Sequence, residues 1–415
     1  MIRGHGCADL RLAVVSPFVD RRHGTERALA ELLERLAHKE HCEIHLYSQR
    51  VEGLALADLS VANQLGTGAI IWHKVPSFPG PHLLQFLAWL LLNSIWRMWD
   101  RWVRGLRFDL VVSPGINCLD ADVVIVHALF HRLQELARED ELDSLRPSLF
   151  RRLHRRSYYA LLAGLERRIY SNPKVSLAAV SQRTAALLHG YLRRQDVRVI
   201  PNGVDTTQFS PSARIALRAT ARMRRAIQES DFVLLLIGND WRAKGLETVL
   251  RAVSTLREFP ILMIAAGDDS PDSFRELVNS LGIAERCCFE PSREDVLDFY
   301  AAADLYVSPS REDSFGLPVA EAMACGLPVV TSLKAGVSDL IRDGVDGFIP
   351  RRADDFEELA QLIERLHADH VLRNNVGDAA ATAALQWTWD RNAADVWELL
   401  GDAVARKHQR AERKS

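Results

Sequence analysis

Twice along the chain, short unbroken apolar runs alternate with segments of helical periodicity. In the first stretch the runs are Leu10–Val15, Glu43–Tyr47, Ala69–Trp72, Leu110–Ser113, Val123–Val126 and Val175–Val180. Helical spacing lies between them, as in Leu29, Leu32, Leu33 and Leu36. In the second stretch the runs are Phe232–Ile237, Ile261–Ala265, Leu305–Val307 and Pro328–Thr331, alternating with helices such as Leu246, Val249, Leu250, Val253. A strand that is apolar at nearly every position has both faces covered, which is the condition of a parallel sheet with helices wound on either side. The expected fold class is therefore α/β, with two Rossmann-like doubly wound parallel-sheet domains facing a cleft.

The boundary is expected at Ile200-Pro201-Asn202-Gly203-Val204-Asp205, where Pro and Asn-Gly punctuate a turn. The formal charge changes sign there. Residues 1–200 hold 27 Lys/Arg and 20 Asp/Glu, while 201–415 hold 25 and 34. Two domains, 1–200 and 201–415, are expected, which suits 415 residues. From Asp354 the chain reads as helical, and its basic end (Arg406, Lys407, Arg410, Arg413, Lys414) offers no apolar partner residues and is expected to fray.

Charged residues at 26% and hydrophobic residues at 48% exclude wholesale disorder. Cys7, Cys42, Cys118, Cys287, Cys288 and Cys325 form no CxxC or His-rich knuckle, so neither a zinc site nor a disulfide framework is expected, and a reducing compartment fits. No targeting segment is read at the N-terminus. The apolar run Leu83–Leu92 is about half of the ~20 residues a membrane span requires, so no crossing is expected.

Ligands in open α/β sheets bind outside the carboxyl ends of the strands. The richest such loop runs from Pro309 to Pro318 and on to Pro328. Pro318 suits a first helical turn and Gly326 the position after the last. The N–H groups around Phe315, Gly316 and Leu317 then form a helix N-terminus, an anion site. Asp313 before the helix and Glu321 one turn inside it supply carboxylates, which accept hydrogen bonds from sugar hydroxyls while amides hold phosphate oxygens. A capped helix with favourable acids near its start accounts for Glu321 but not for the full string.

That string, Ser308-Pro309-Ser310 followed by Asp313-Ser-Phe-Gly-Leu-Pro-Val-Ala-Glu321-Ala-Met-Ala-Cys-Gly-Leu-Pro, resembles the nucleotide-sugar motif of the retaining group 1 glycosyltransferases, which have the GT-B fold. In that family two glutamates enclose seven residues. Here the first position is Asp313, with Glu312 beside it as the other carrier, and the second is Glu321. Ile237-Gly-Asn-Asp-Trp-Arg-Ala-Lys244-Gly-Leu resembles the family segment that supplies a diphosphate-binding lysine, with Lys244 opening a helix and Arg242 nearby. Ile200–Asp205 with Phe209 and Pro211 resembles the interdomain turn, and Ala179-Val180-Ser181-Gln182 the end of the preceding strand. His23-Gly24-Thr25-Glu26-Arg27 is similar to the Gly-Gly-x-x-Arg loop, with Gly24 letting backbone approach the donor.

The resemblance implies transfer of a sugar from a UDP- or GDP-linked donor with retention and no other cofactor. It further implies metal independence, and no DxD motif stands out. The catalytic residues implied are His127, Lys244 and Asp313. Gly24, Arg242, Lys244, Asp313, Phe315, Gly316, Leu317 and Glu321 would bind the donor. His127 closes the strand Ala121–Val126, and by resemblance a residue there lies near the transferred sugar. His131 is its competitor. The layout around Phe108–His127 is similar to the lipopolysaccharide-core glucosyltransferase branch.

For the acceptor, a glycan or lipid-linked acceptor is expected. In Phe86–Arg104, at ~100° per residue, Trp89, Trp96, Trp99 and Trp102 fall within about 140° of arc and Arg97, Arg101 and Arg104 on another face. Such a helix can lie in a lipid interface or face the core. Ser144–Ile200 carries 12 basic residues and 2 acidic ones, including Arg146, Arg151, Arg152, Arg155, Arg156, Arg167 and Arg168. Together these suggest one surface for an anionic membrane, and a cytoplasmic protein peripheral on the inner face of the cytoplasmic membrane. A solvated helix face explains the arginines equally. Two alternatives stand beside this reading: a transferase with a soluble acceptor such as a sugar phosphate, and a nucleotide-sugar-binding protein without transferase activity. No GxGxxG follows a strand, which disfavours a dinucleotide oxidoreductase, and nucleic-acid binding has no accompanying motif.

Overall fold

The computed structural model describes the backbone of residues 10–40, 42–57, 68–143 and 149–413, and their side chains except 40 and 140–154. Cys7, Arg146 and Lys414, and the side chains of Arg151 and Arg152, lie outside the described residues.

The chain divides into two units, one comprising Met1–Pro201 with Asp390–Ser415, the other Asn202–Trp389. In the first, β1 (Arg11–Val15), β3 (Glu43–Ser48), β5 (Ala69–Lys74), β6 (Leu110–Ser113), β7 (Val123–Val126), β8 (Ser176–Ala179) and β9 (Val197–Val199) form one sheet in the order β5-β3-β1-β6-β7-β8-β9. Short β2 (Phe18–Val19) and β4 (Arg50–Val51) pair separately. Its helices are α1 (Gly24–Glu40), α2 (His82–Val103), α3 (Phe130–Asp143), α4 (Leu149–Tyr170) and α5 (Gln182–Leu192). In the second unit, β10 (Phe232–Ile237), β11 (Ile261–Ala266), β12 (Cys287–Glu290), β13 (Leu305–Ser308) and β14 (Val329–Thr331) run in the order β12-β11-β10-β13-β14. Around them lie α6 (Pro211–Met223), α7 (Leu246–Thr255), α8 (Asp272–Leu281), α9 (Leu297–Ala302), α10 (Leu317–Ala324), α11 (Phe356–Ala368) and α12 (His370–Ala384). Helix α13 (Trp389–Glu412) begins at the end of this unit and continues in the first.

Every pairing in both main sheets is parallel. In each, the order folds outward from its first strand to one side and then resumes on the other, so the order reverses beside β1 and beside β10. Continuous apolar strands supply the two cores. Ala13, Val15, Val124, Val126, Leu177 and Ala179 are fully buried in one. Leu234, Leu236, Met263 and Val307, with Val249, Leu250 and Val253 of α7, are fully buried in the other. The strands absent from the sequence expectation are the short or edge ones. In β12, Cys288 is exposed and Glu290 buried, because an edge strand is covered unevenly and lacks the continuous apolar run that marks a central one.

The C-terminal end departs from expectation. It is helical to Glu412 rather than frayed, and residues from Asp390 group with the first unit instead of with 201–389. Its cations do the anchoring: Arg406 donates to Ser176 Oγ at 2.8 Å, Lys407 Nζ to Asp122 Oδ2 at 2.9 Å, and Arg410 to the Lys174 carbonyl at 3.1 Å. Polar contacts to backbone and carboxylate hold this segment where apolar residues are lacking.

The expected Trp/Arg division of α2 is also corrected. Trp89 is buried, its indole N–H donating to the Asn117 carbonyl, and Arg97 is buried beside it, forked onto Asp120 at 2.6 and 2.7 Å. The inward stripe is Trp89, Leu90, Asn93, Arg97 and Asp100. Trp99 and Trp102 lie on the exposed side. The tryptophan arc straddles the boundary of burial, because a bidentate carboxylate lets an arginine occupy the inner face.

Under α2 a chain of polar groups, half-buried at Glu43 and buried from His45 to Asp100, crosses the sheet edge. His45 Nε2 meets Glu43 at 2.6 Å, His45 Nδ1 meets His73 Nε2 at 2.8 Å, and His73 Nδ1 meets Asp100 at 2.7 Å. Tyr47 donates to the same Asp100 carboxylate at 2.7 Å. Burial pulls the His45 imidazole below its ordinary value and that of His73 down to about 4.

Candidate functional site

The reversal of strand order in the second sheet lies between β10 and β13, which are neighbours. Adjacent parallel strands leaving in opposite directions open their following loops side by side, and the residues singled out in sequence sit on these two loops. After β10 the chain turns through Gly238 (φ 145°) and Asp240 (φ 58°), and Gly245 (φ 82°) caps α7. A Cβ at Gly245 would stand 2.3 Å from the Pro309 carbonyl oxygen, so only glycine lets the two loops close on each other. Arg311 N–H donates to the Ala243 carbonyl at 2.7 Å and completes the junction.

This closure brings Lys244 of one loop against Asp313 of the other, Nζ to Oδ2, with both side chains about 15% exposed (16 and 14%). Lys244 does not open the helix as expected. The first helical residue is Leu246, and Lys244 stands in the turn before it, because Gly245 takes the left-handed cap position. A Cβ at Gly238 would meet Lys244 Cε at 2.9 Å, so the ammonium's stem passes close over that backbone. Arg242 is half-buried in the same turn.

Gly316, left-handed at φ 96°, caps α10, with Pro318 in its first turn and Gly326, also left-handed, past its end. Phe315 and Leu317 are buried, and the Phe315 carbonyl accepts from Val337 N–H at 2.6 Å, fixing the turn. The first N–H groups of a helix have no acceptor within it, so Gly316 and Leu317 present donors beside the Lys244–Asp313 pair. Asp313 Oδ2 is 3.4 Å from where a Gly316 Cβ would be.

Glu321 is brought one turn into α10 but is buried, and Tyr300 of α9 donates to its Oε2 at 2.7 Å. The same hydroxyl reaches the Pro318 carbonyl at 3.1 Å. Burial, together with the Glu321 carboxylate, pushes the Tyr300 hydroxyl well above its ordinary value, so it remains a donor. Sequence reasoning missed Tyr300, which sits on a different helix and belongs to no motif. Tyr306 of β13, missed likewise, spans to the Ile237 carbonyl at 3.2 Å and ties the two strand ends together.

The remaining expected site residues belong to the first unit. Gly24 is the first residue of α1, after a loop in which buried Asp20 accepts from Arg22 N–H at 2.9 Å and His23 N–H at 3.0 Å. His127 follows β7 directly and is half-buried. His131, its competitor, has a structural place: its ring and its N–H, with that of Phe130, bind the fully buried Glu166 carboxylate, which caps α3. Burial raises the Glu166 carboxyl above its usual range.

Two parallel-sheet α/β domains, the second with its polar loops at the β10/β13 reversal, make a GT-B fold. Residues 218–383 match the family model of glycosyl transferases group 1, and residues 22–208 match that of glycosyltransferase family 4. Each of these two models covers less than half of the chain, one in either half. The chain is 33% identical over 225 residues to a D-inositol 3-phosphate glycosyltransferase of Salinispora arenicola, covering 50% of each chain, so it spans about half the length of that curated relative. Among solved structures it is similar to WaaG, a glycosyltransferase involved in lipopolysaccharide biosynthesis (TM-score 0.73, 22% identity, 93% of this chain and 99% of that one). It is also similar to Anabaena HepE in complex with UDP-glucose (TM-score 0.67, 20% identity, 95% and 99% covered).

Proposed function

We propose that this protein is a retaining glycosyltransferase that moves a sugar from a nucleoside-diphosphate donor, UDP- or GDP-linked, to a glycan or lipid-linked glycan. The observation that carries the reading is the meeting of Lys244, Asp313 and the α10 N-terminus at the β10/β13 reversal. An ammonium and a set of helix amides suit a diphosphate, and adjacent carboxylates suit sugar hydroxyls. The anomeric carbon–oxygen bond to the diphosphate breaks and a bond to the acceptor oxygen forms on the same face. The acceptor proton passes to the departing diphosphate. Lys244, Arg242 and the Phe315–Leu317 amides stabilise that leaving group, Glu321 and Asp313 hold the sugar or ribose hydroxyls, and Gly24 and His127 of the first domain serve the donor and the transferred sugar. In this reading residues 1–200 bind the acceptor and 201–389 the nucleotide sugar. The protein works in the cytoplasm, peripheral to the inner face of the membrane, a location in keeping with the free thiols of the described cysteines.

A soluble acceptor is the second reading, favoured by the name of the Salinispora relative, whose acceptor is an inositol phosphate. A screen of nucleotide sugars for thermal stabilisation, followed by turnover of the labelled hit, tests both donor and activity. No stabilisation by any nucleoside diphosphate refutes the donor site. Stabilisation without turnover on any glycan, glycolipid or sugar-phosphate acceptor favours a non-catalytic binding protein. The anomeric configuration of the product, read by NMR, tests retention.

A further inference from the structure

Helix α2 buries one stripe and leaves the opposite one bare. Leu84, Leu87, Leu91, Ile95, Met98, Trp99 and Trp102 are each between 41 and 84% exposed. At ~100° per residue they fall within about 120° of arc, a continuous apolar face along a helix of 22 residues. A soluble surface rarely carries a patch of that kind without a partner. No helix among the described residues is long and apolar enough to cross a membrane, and α2 is held to its own domain by Trp89, Arg97 and Asp100.

The charges around this face are of one sign. Asp100 is the only acid in α2, and it is buried, held by His73, Tyr47 and Arg104. Arg101, Arg104, Arg107 and Lys74 are exposed at the C-terminal end of the helix and on the neighbouring edge strand β5. Between β5 and α2 opens a cavity of about 590 Å³, walled by Trp72, Ile95, Trp96 and Trp99, edged by Lys74 and Arg104, and floored by His73 and by Asp100, whose carboxylate is paired with His73 and Arg104. Pairing this face with a second copy about a two-fold axis would set like cations close to each other. An anionic bilayer satisfies both features, taking the apolar arc below its headgroups and the cations at their phosphates.

We propose that the outward face of α2 is a docking surface for an anionic phospholipid bilayer, and that the tryptophan-walled cavity beside it receives one phosphate-bearing headgroup. The inference rests on the peripheral-membrane location proposed above and names the surface responsible; it is independent of the donor site, since none of its residues belongs to the β10/β13 loops.

The test uses the full chain with vesicles of phosphatidylcholine alone or with about a third phosphatidylglycerol, at low and high salt, scored by co-sedimentation. Partitioning is expected onto the mixed vesicles and to weaken as salt rises. Replacing exposed Arg101 and Arg107 with Gln is expected to lower it about fivefold per residue, and Lys74→Gln likewise. The triple change Leu91→Gln, Met98→Gln and Trp102→Gln, all on the exposed face, is expected to lower it about a hundredfold while UDP-induced thermal stabilisation stays as in the parent. Equal partitioning onto neutral and mixed vesicles, or no partitioning onto either, overturns the proposal. So does a dimer in analytical ultracentrifugation that the triple change dissociates, which would assign the face to a second copy.

Discussion

Removing Lys244 separates what the β10/β13 junction does for stability from what it does for ligand. In the free protein its ammonium is paired with Asp313, and both side chains lie mostly out of water. Lys244→Ala leaves that carboxylate uncompensated. Breaking a buried pair costs about 3–5 kcal/mol, and the residual exposure of this one reduces the expected loss to about 2–3 kcal/mol. Adding Asp313→Asn removes the stranded charge, so the double variant should recover most of that loss, a coupling of about 1–3 kcal/mol. Ligand binding should follow a different pattern. A diphosphate takes over the ammonium from Asp313, so Lys244→Ala loses a charge-assisted contact worth about 1.5–3 kcal/mol, or about 10–150-fold in UDP affinity. The double variant should bind UDP no better than Lys244→Ala. Denaturant melts supply the stabilities and titration calorimetry the affinities. Unchanged UDP affinity in Lys244→Ala would refute the donor-site reasoning, and a double variant as unstable as the single would refute the pairing.

Glu321→Ala should weaken UDP binding by about 1.5–3 kcal/mol in calorimetry with the fold retained by circular dichroism. Tyr300→Phe should destabilise by about 1.5–3 kcal/mol in denaturant melts, because it removes a hydrogen bond to a buried carboxylate; an unchanged midpoint would show that Glu321 does not depend on that hydroxyl. Transfer should persist in excess EDTA, since Lys244 and the α10 amides meet the diphosphate charge; complete loss restored by Mg²⁺ or Mn²⁺ would contradict this. Acid should destabilise the first domain through His73, whose folded value of about 4 lies below the ordinary 6.5. The unfolded chain therefore binds more protons between those values, stability falls with pH across that window, and about 2 kcal/mol should be gone by pH 5. His73→Asn should flatten this limb in urea melts at pH 7 and pH 5, and an equally steep limb would refute the assignment.

The doubly wound fold was legible because central parallel strands, covered on both faces, must be apolar at nearly every position, as in Val123–Val126 and Phe232–Ile237. The loops after β10 and β13 were legible because Pro318 and Gly326 bracket a helix by local capping rules, and because the strings around Lys244 and Asp313 resemble family motifs. Local pattern did not reveal partners distant in sequence. Tyr300 reaches Glu321 from another helix, and Asp313 meets Lys244 across 69 residues. Nor did it decide which side of α2 turns inward, since Arg97 is buried only because Asp120 stands opposite, and the bare apolar arc follows from that choice. The basic tail reads as solvated until Asp122, Ser176 and Lys174 present acceptors to it. Sequence specifies what each element must bury or cap; a charge or a single aromatic has no preferred face of its own, and its place is decided by the partner that the tertiary fold brings within hydrogen-bonding reach.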